Sequence, residues 1–419
     1  MTLDAIVVGA GLSGLVCARR LTEGGARVIV VEARDRVGGR LRTGTVGGQT
    51  VDLGGQWLTV TQDRLVALAR ELGVPTFAHD REGRMQFPPG GLVTAFAQWR
   101  AMRRIKRAFR SLPSAERAPL DVLDRESLAD YFTRTIRSPI ARSRLVLHAE
   151  AVLAADPADL SLLAYLDRLR TTGGFAPEGP ELPGGGREHR FEGGAQRLAT
   201  TLAASLDVRL GEPIEEIVDD GAHVAARGPA GEHAARQLVL ALPPVLAGRI
   251  RVELDQAARR FVDAIRVGSV VKVFAAYPRP FWRDAGWSGE SYLPAGTVRV
   301  IVAIGGALCA FVVGREAARW ASREAAERRE DVLATFAAQF GDAAREPVDY
   351  LEVDWGADPW SGGCVAAMPP GGFAGGAAWG ASRGRIHVAG TEASTIWPGY
   401  MEGAIVAGER AAASVLATL

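Results

Sequence analysis

The chain has 419 residues, 47% of them hydrophobic, enough to bury a large core and to build roughly two to three structural units. A formal net charge of +1 excludes a whole-protein field that would draw in nucleic acid or an acidic membrane, so partners must be recognised locally. Cys17, Cys309 and Cys364 are odd in number and far apart, which argues against a disulfide framework and for a reducing compartment.

Met1-Thr2-Leu3-Asp4 leads straight into an apolar run, without the basic region and cleavage site of a secretory signal, and the expected location is the cytoplasm. Residues 5–8 predict a strand, Gly9-Ala10-Gly11-Leu12-Ser13-Gly14 a tight turn, the residues to about Leu21 an amphipathic helix and residues 27–31 a second strand: a βαβ unit. Helices are predicted over 61–72 and 92–110. Residues 127–169 read as helical in pieces, ending at Thr172-Gly173-Gly174, and 177–186 as a Pro- and Gly-rich loop. Strand signals return at 238–242 and 269–274. The longest uncharged apolar run, 300–314, is too short for a membrane span and is broken by Gly305-Gly306, so it reads as a buried hairpin. A helix over 315–340, a strand over 386–389 and a helix from about 399 to 416 complete the chain, which has no internal repeat. Arginine, alanine and glycine abound while lysine occurs only at Lys106 and Lys272, a bias typical of a GC-rich bacterial genome.

The first glycine turn carries the clearest chemistry. Gly9, Gly11 and Gly14 follow a strand and open a helix, so the backbone can approach a pyrophosphate and the helix amides face its charge. Glu32 ends the next strand, where its carboxylate can accept the hydroxyls of an adenosine ribose. NAD and FAD share this fingerprint. No second glycine turn with its acid appears for a nicotinamide cofactor.

The stretch Glu32-Ala33-Arg34-Asp35-Arg36-Val37-Gly38-Gly39-Arg40 resembles the second glycine motif of the flavin amine oxidases. Further blocks resemble monoamine oxidase in the same order: Asp52-Leu53-Gly54-Gly55-Gln56-Trp57, Gly268-Ser269-Val270-Val271-Lys272-Val273, Pro280-Phe281-Trp282, Ser361-Gly362-Gly363-Cys364, and Ala389-Gly390-Thr391-Glu392 through Trp397-Pro398-Gly399-Tyr400-Met401-Glu402-Gly403-Ala404. The resemblance covers most of the chain. It implies an α/β fold: a Rossmann-like FAD-binding domain assembled from 1–76, 192–261 and 358–419, and an α+β substrate domain of mixed sheet and helices from 77–191 and 262–357. It also implies FAD held by Gly9, Gly11, Gly14, Glu32, Arg34, Gly39, Arg40, Leu41, Gly55, Gln56, Trp57, Ile214, Trp355, Cys364, Gly390, Glu392, Gly399, Tyr400 and Met401.

Lys272 falls mid-strand among valines, where an ammonium is costly unless paired or neutral, or else it snorkels to solvent. The family's matching lysine holds a water against flavin N5 and assists reaction with oxygen, so Lys272 and Tyr400 are the expected catalytic residues. Cys364 matches the cysteine that monoamine oxidases join to the flavin 8α carbon through a thioether; the alternative is a spectator thiol. The chain departs from the family twice. The position after that cysteine is Val365 rather than a tyrosine, so Tyr400 lacks its partner in the aromatic cage. Arg187 stands where the family often has a glutamine in the substrate cavity; pointing inward it would bind a carboxylate or carbonyl, and pointing outward it is a solvated arginine beside Glu188.

With Trp397 these residues make the expected substrate pocket, and the implied reaction is oxidation of an amine C–N bond by FAD and O2. The alternatives are an amide, an amino acid or a larger specialised metabolite as substrate, a desaturase, or a flavin carrier without turnover. Relatives that dimerise make a homodimer admissible. Arg103, Arg104, Lys106 and Arg107 read as a solvated helix face. His148, His189 and His387 lack metal spacing, and no metal is expected.

Overall fold

The computed structural model describes residues 3–87, 92–111, 117–174, 187–373 and 379–419, so the loop expected at 177–186 lies outside the described residues. A first sheet runs from Val208–Leu210 through Val28–Glu32 and Leu3–Val8 to Gly231–Leu240, all parallel. Gly231–Leu240 then divides its free edge: its first half pairs with Val224–Gly228, antiparallel, and its last residues with Ile386–Val388, parallel. The strands at the centre are continuous apolar runs because both faces are covered.

The helix Leu12–Glu23 covers one face, burying Leu12, Leu15, Val16, Ala18 and Leu21. Against it lies the last helix, Met401–Leu416, at closer than ordinary helix spacing: a side chain at Gly408 would place its Cβ 2.4 Å from the Ser13 carbonyl oxygen. Ser13 Oγ also accepts the Gly390 amide at 2.9 Å, so the two ends of the chain close one unit.

A second sheet has the order Asp349–Asp354, Val270–Ala276, Ala307–Val313, Val298–Ile304, Trp287–Tyr292, Arg84–Gln86. Its pairs are antiparallel except the last. The hairpin expected over 300–314 is the pair Val298–Ile304 and Ala307–Val313, turning at Gly305-Gly306 with Gly305 at φ 60°. Every residue of Val270–Ala276 is buried.

The helix predicted over 315–340 is not continuous. Gly314–Ala318 is followed by a 3-10 turn, Trp320–Ser322, and by extended backbone at Arg323 and Glu324 before Ala325–Phe340. Trp320 is drawn into the core and its indole donates to Glu352 at 2.9 Å, an anchor that a straight helix would not satisfy.

Helices roof the second sheet. Leu128–Thr135, Pro139–Leu153 and Leu162–Thr171 are each started by a serine, Ser127, Ser138 and Ser161, whose hydroxyl accepts an amide of the first turn. Such a cap is worth about 1 kcal/mol. On Leu92–Ser111 the side chains of Arg103, Arg104, Lys106 and Arg107 are exposed, as a solvated face requires. The hairpin Thr43–Val46 with Gln49–Asp52, absent from the predicted elements, turns on Gly47-Gly48, both at positive φ, as a two-residue loop requires. Among the described residues no helix is long and apolar enough to cross a membrane.

Candidate functional site

A cavity of about 560 Å³ takes its wall from both sheets and from the roof helices Pro139–Leu153 and Leu162–Thr171. One end is the glycine turn. The helix Leu12–Glu23 starts there on Gly11 with no acid in its first turn, so its amides and dipole face the cavity without an internal counter-charge. A Cβ on Gly11 would meet nothing within 4 Å and would stand in the cavity itself, whereas on Gly14 it would lie 2.0 Å from the Gly9 carbonyl oxygen.

Glu32 is buried and accepts the Ala10 amide at 2.8 Å and the Arg34 amide at 3.0 Å. A carboxylate has about four acceptor positions, so two remain for ribose hydroxyls. The Gly38 amide donates to Ala10 O at 2.8 Å, stitching the second glycine turn to the first. An open cradle of amides beside a buried carboxylate fits the adenosine diphosphate half of FAD. Arg34 lines the cavity at this end too, 3.5 Å from Glu32 and held by bonds to Asp358 at 2.9 Å and Ser361 Oγ at 2.7 Å.

Farther along, Leu41, Gly55, Gln56, Ile214, Trp355, Gly390, Gly399 and Met401 line the wall. Arg40 lines it too, but its charge is matched by Glu392 through bonds of 2.7 and 3.1 Å, and it also donates to Cys364 O at 2.8 Å. Burial works against this cation, yet Glu392 outweighs burial and holds Arg40 above its ordinary range. The helix Met401–Leu416 begins at the cavity. The acid of its first turn, Glu402, instead accepts the amides of Arg64 and Leu65 at 3.0 and 2.7 Å, capping the neighbouring helix Asp63–Glu71.

Cys364 stands beside the start of the strand Val270–Ala276 because its amide donates to Gly268 O at 3.0 Å while Gly268 donates to Val365 O at 2.8 Å. Burial pushes its thiol up; Arg40 and Lys272 pull the other way. Lys272 does not snorkel. It is 5% exposed, and Nζ donates to Asp52 O at 3.0 Å, Gly54 O at 2.6 Å and Gln56 Oε1 at 2.9 Å. Three acceptors suit the three hydrogens of an ammonium, while burial lowers the pKa below the ordinary lysine value, opposed by Cys309 and Asp52.

At the other end Arg187 points inward. Its guanidinium lies 4.7 Å from the Trp57 ring centroid, 5.7 Å from Tyr292 and 6.0 Å from Phe311, and Nη1 donates to Tyr292 Oη at 2.9 Å. Glu188 does not pair with it; that carboxylate accepts Thr59 Oγ1 at 2.9 Å and the Val60 amide at 3.1 Å. Tyr400 and Val365 line the same chamber.

Trp397, expected on the substrate wall, stands behind it: with φ at 50° the backbone turns the indole inward, edge-on to Tyr400 at 5.0 Å. Gly14 and Glu392 also lie behind the wall, the first against Gly9 and the second through Arg40.

Arg168, Tyr292, Phe311 and Asp52 are among the wall or support residues that the motifs do not single out. Arg168 stands 4.9 Å over the Tyr400 ring and donates to Pro398 O at 3.1 Å. A signal for it existed, since it shares a helix face with buried Tyr165 and Thr172, three before and four after. Among the described residues no group of His, Cys, Asp and Glu is arranged to hold a metal ion.

The family profile described as flavin containing amine oxidoreductase matches residues 12–416. AofH of Mycobacterium tuberculosis, which carries a flavin-containing monoamine oxidase name, is 34% identical over 100% of this chain and 97% of its own. An L-amino acid dehydrogenase of Synechocystis is 32% identical over 99% and 95%. The solved structure of cyclohexylamine oxidase from Brevibacterium oxydans superposes with a TM-score of 0.93 at 28% identity, covering 100% of this chain and 99% of that one.

Proposed function

The chain belongs to the flavin-containing amine oxidoreductase family, and from that premise we propose that it is an amine oxidase whose chemistry runs in the chamber bounded by Lys272, Tyr400 and Arg187. The observation that carries this reading is one continuous cavity joining an amide cradle at Gly11 to that chamber. FAD supplies the two-electron acceptor for the C–H bond next to nitrogen and returns the electrons to O2, giving hydrogen peroxide. The amine becomes an imine, which water hydrolyses to a carbonyl compound and ammonia or a smaller amine.

The residues of the chain bind and orient. The Gly11 helix start takes the diphosphate and Glu32 the ribose. The start of the helix Met401–Leu416 faces the far end, where its dipole favours negative charge on the reduced cofactor. Tyr400, backed by Trp397, gives the substrate an aromatic wall, and Val365 widens the space opposite. Lys272, fixed through Gln56 and two carbonyls, supplies a cation for the reaction with oxygen. Cys364, on the wall with its thiol unpaired, is the residue that would carry the flavin as a thioether.

We further divide the chain into an FAD unit, 1–76, 192–261 and 358–419, and a substrate unit, 77–191 and 262–357, a division supported by the strand membership of the two sheets. We assign the activity to the cytoplasm, which the three unpaired cysteines suit.

The test is direct. Purified yellow protein is mixed with a panel of amines, with peroxide followed in air and flavin bleaching followed without it. Several panel members should do both. Protein that binds FAD yet is bleached by none of them is a carrier rather than an oxidase.

A further inference from the structure

We infer that the preferred amines carry a carboxylate, and that Arg187 is the group that binds it. This rests on the amine-oxidase reading and names the substrate class for that same chamber.

The first ground is the unspent donor capacity of Arg187. A guanidinium has five N–H donors in one plane. Stacking on aromatic faces leaves those in-plane donors free, and here one bond, to Tyr292 Oη, uses a single donor on Nη1. Among the described residues no carboxylate forms an ion pair with Arg187. Its sequence neighbour Glu188 is turned to Thr59 and Val60, and its backbone carbonyl accepts the His79 amide at 2.8 Å, which fixes the segment in that sense.

Glu290, the acid whose charge Arg187 does feel, is 1% exposed and shared with Arg81 at 3.1 Å and His79 at 3.4 Å. With Glu290 engaged by two other cations, the guanidinium held against Trp57, Tyr292 and Phe311 keeps donors for a ligand in the cavity. A bidentate carboxylate fits those donors, and the low-dielectric walls strengthen the pair.

The second ground is the sign of the chamber. Three cations reach its wall, Lys272, Arg168 and Arg187, and the Arg168 guanidinium already lies over the Tyr400 ring at 4.9 Å. With Val365 opposite, the Tyr400 face has no second ring to cage a bare ammonium, whereas an amine bearing its own carboxylate enters without net positive charge and brings Arg187 its acceptor. A neutral carbonyl would accept from Arg187 but leave the cation unbalanced, which favours the acid over an amide.

The reaction itself is unchanged. The C–H bond beside nitrogen breaks, its electron pair leaves with the hydrogen for the flavin, an imino acid forms, and water releases the oxo acid and ammonia while O2 takes the electrons.

The experiment compares each amino acid with its decarboxylated amine, phenylalanine with phenethylamine and leucine with isopentylamine, as a ratio of kcat/KM on the holoenzyme. Wild type should favour the acid in at least one pair, and Arg187→Gln should lower that ratio by about 100-fold, Arg187→Lys by about 10-fold. Flavin content and melting temperature are checked for both variants, so that the lysine variant carries the test where the glutamine variant does not fold. Hydrocinnamate, which has the carboxylate and no amine, should compete with substrate in wild type and lose that competition in Arg187→Gln.

Amines oxidised with a ratio below one in every pair, or a ratio indifferent to both substitutions, overturn the inference and leave the amine-oxidase reading standing. If no member of any pair bleaches the flavin, that reading falls and the inference with it.

Discussion

Replacing Lys272 by methionine separates what the buried cation does for the fold from what it does for the reaction. The side chain keeps its length and loses three hydrogen bonds, to Asp52 O, Gly54 O and Gln56 Oε1. Each such bond from a charged donor is worth about 1.5–3 kcal/mol, so the gross loss is about 6 kcal/mol. Against it stands relief from desolvating an ammonium that is 5% exposed, a penalty of several kcal/mol in a folded protein. The two nearly cancel. Stability at neutral pH should change by no more than about 2 kcal/mol.

The sign with pH follows from the depressed pKa. Between the folded value and the ordinary 10.5 the unfolded chain binds more protons at this position, so wild type gains stability relative to Lys272→Met as pH rises through that window. The reaction should not cancel. With the flavin first reduced by amine without air and then mixed with O2, loss of one preorganised cation should slow reoxidation by about 100-fold, and far less the reduction by amine. The wild-type reoxidation rate should fall as pH rises through a value below 10.5, and the variant should show no such step. A variant that reoxidises at the wild-type rate would refute the assignment of Lys272 to the oxygen reaction.

Two further substitutions probe the cofactor wall. In Cys364→Ser the yellow colour should leave the acid-precipitated protein for the supernatant, whereas wild type should retain it in the pellet; colour free in both means that no thioether forms. Gly14→Ala places a methyl 2.0 Å from Gly9 O, backbone that cannot yield without opening the turn, and should cost about 1–3 kcal/mol and strip the purified protein of most of its flavin. An undiminished flavin content would mean that the turn does not hold the diphosphate.

The cofactor end was legible because its signals are local. Gly9, Gly11, Gly14 and Glu32 span two strands and a turn, and hydrophobic periodicity fixes all three elements. Lys272 was legible for a different reason, as a charged residue amid valines in a strand that must be covered on both faces. The substrate end was less so. Arg187 meets Tyr292 across 105 positions of sequence, and nothing in either neighbourhood announces the other. Arg168 over Tyr400 is likewise a product of packing. The interruption at Trp320 follows from a hydrogen bond to Glu352 on another element, and helical periodicity is blind to it. The motif around Trp397 points to the pocket, and a left-handed backbone at that residue turns the indole away from it.

The contact of Gly408 with Ser13 has a bearing on how the protein is made. The glycine turn leaves the ribosome long before the helix that packs on it and the strand Ile386–Val388 that completes the sheet edge, so the packing around that turn stays incomplete until both of these later segments have been synthesised.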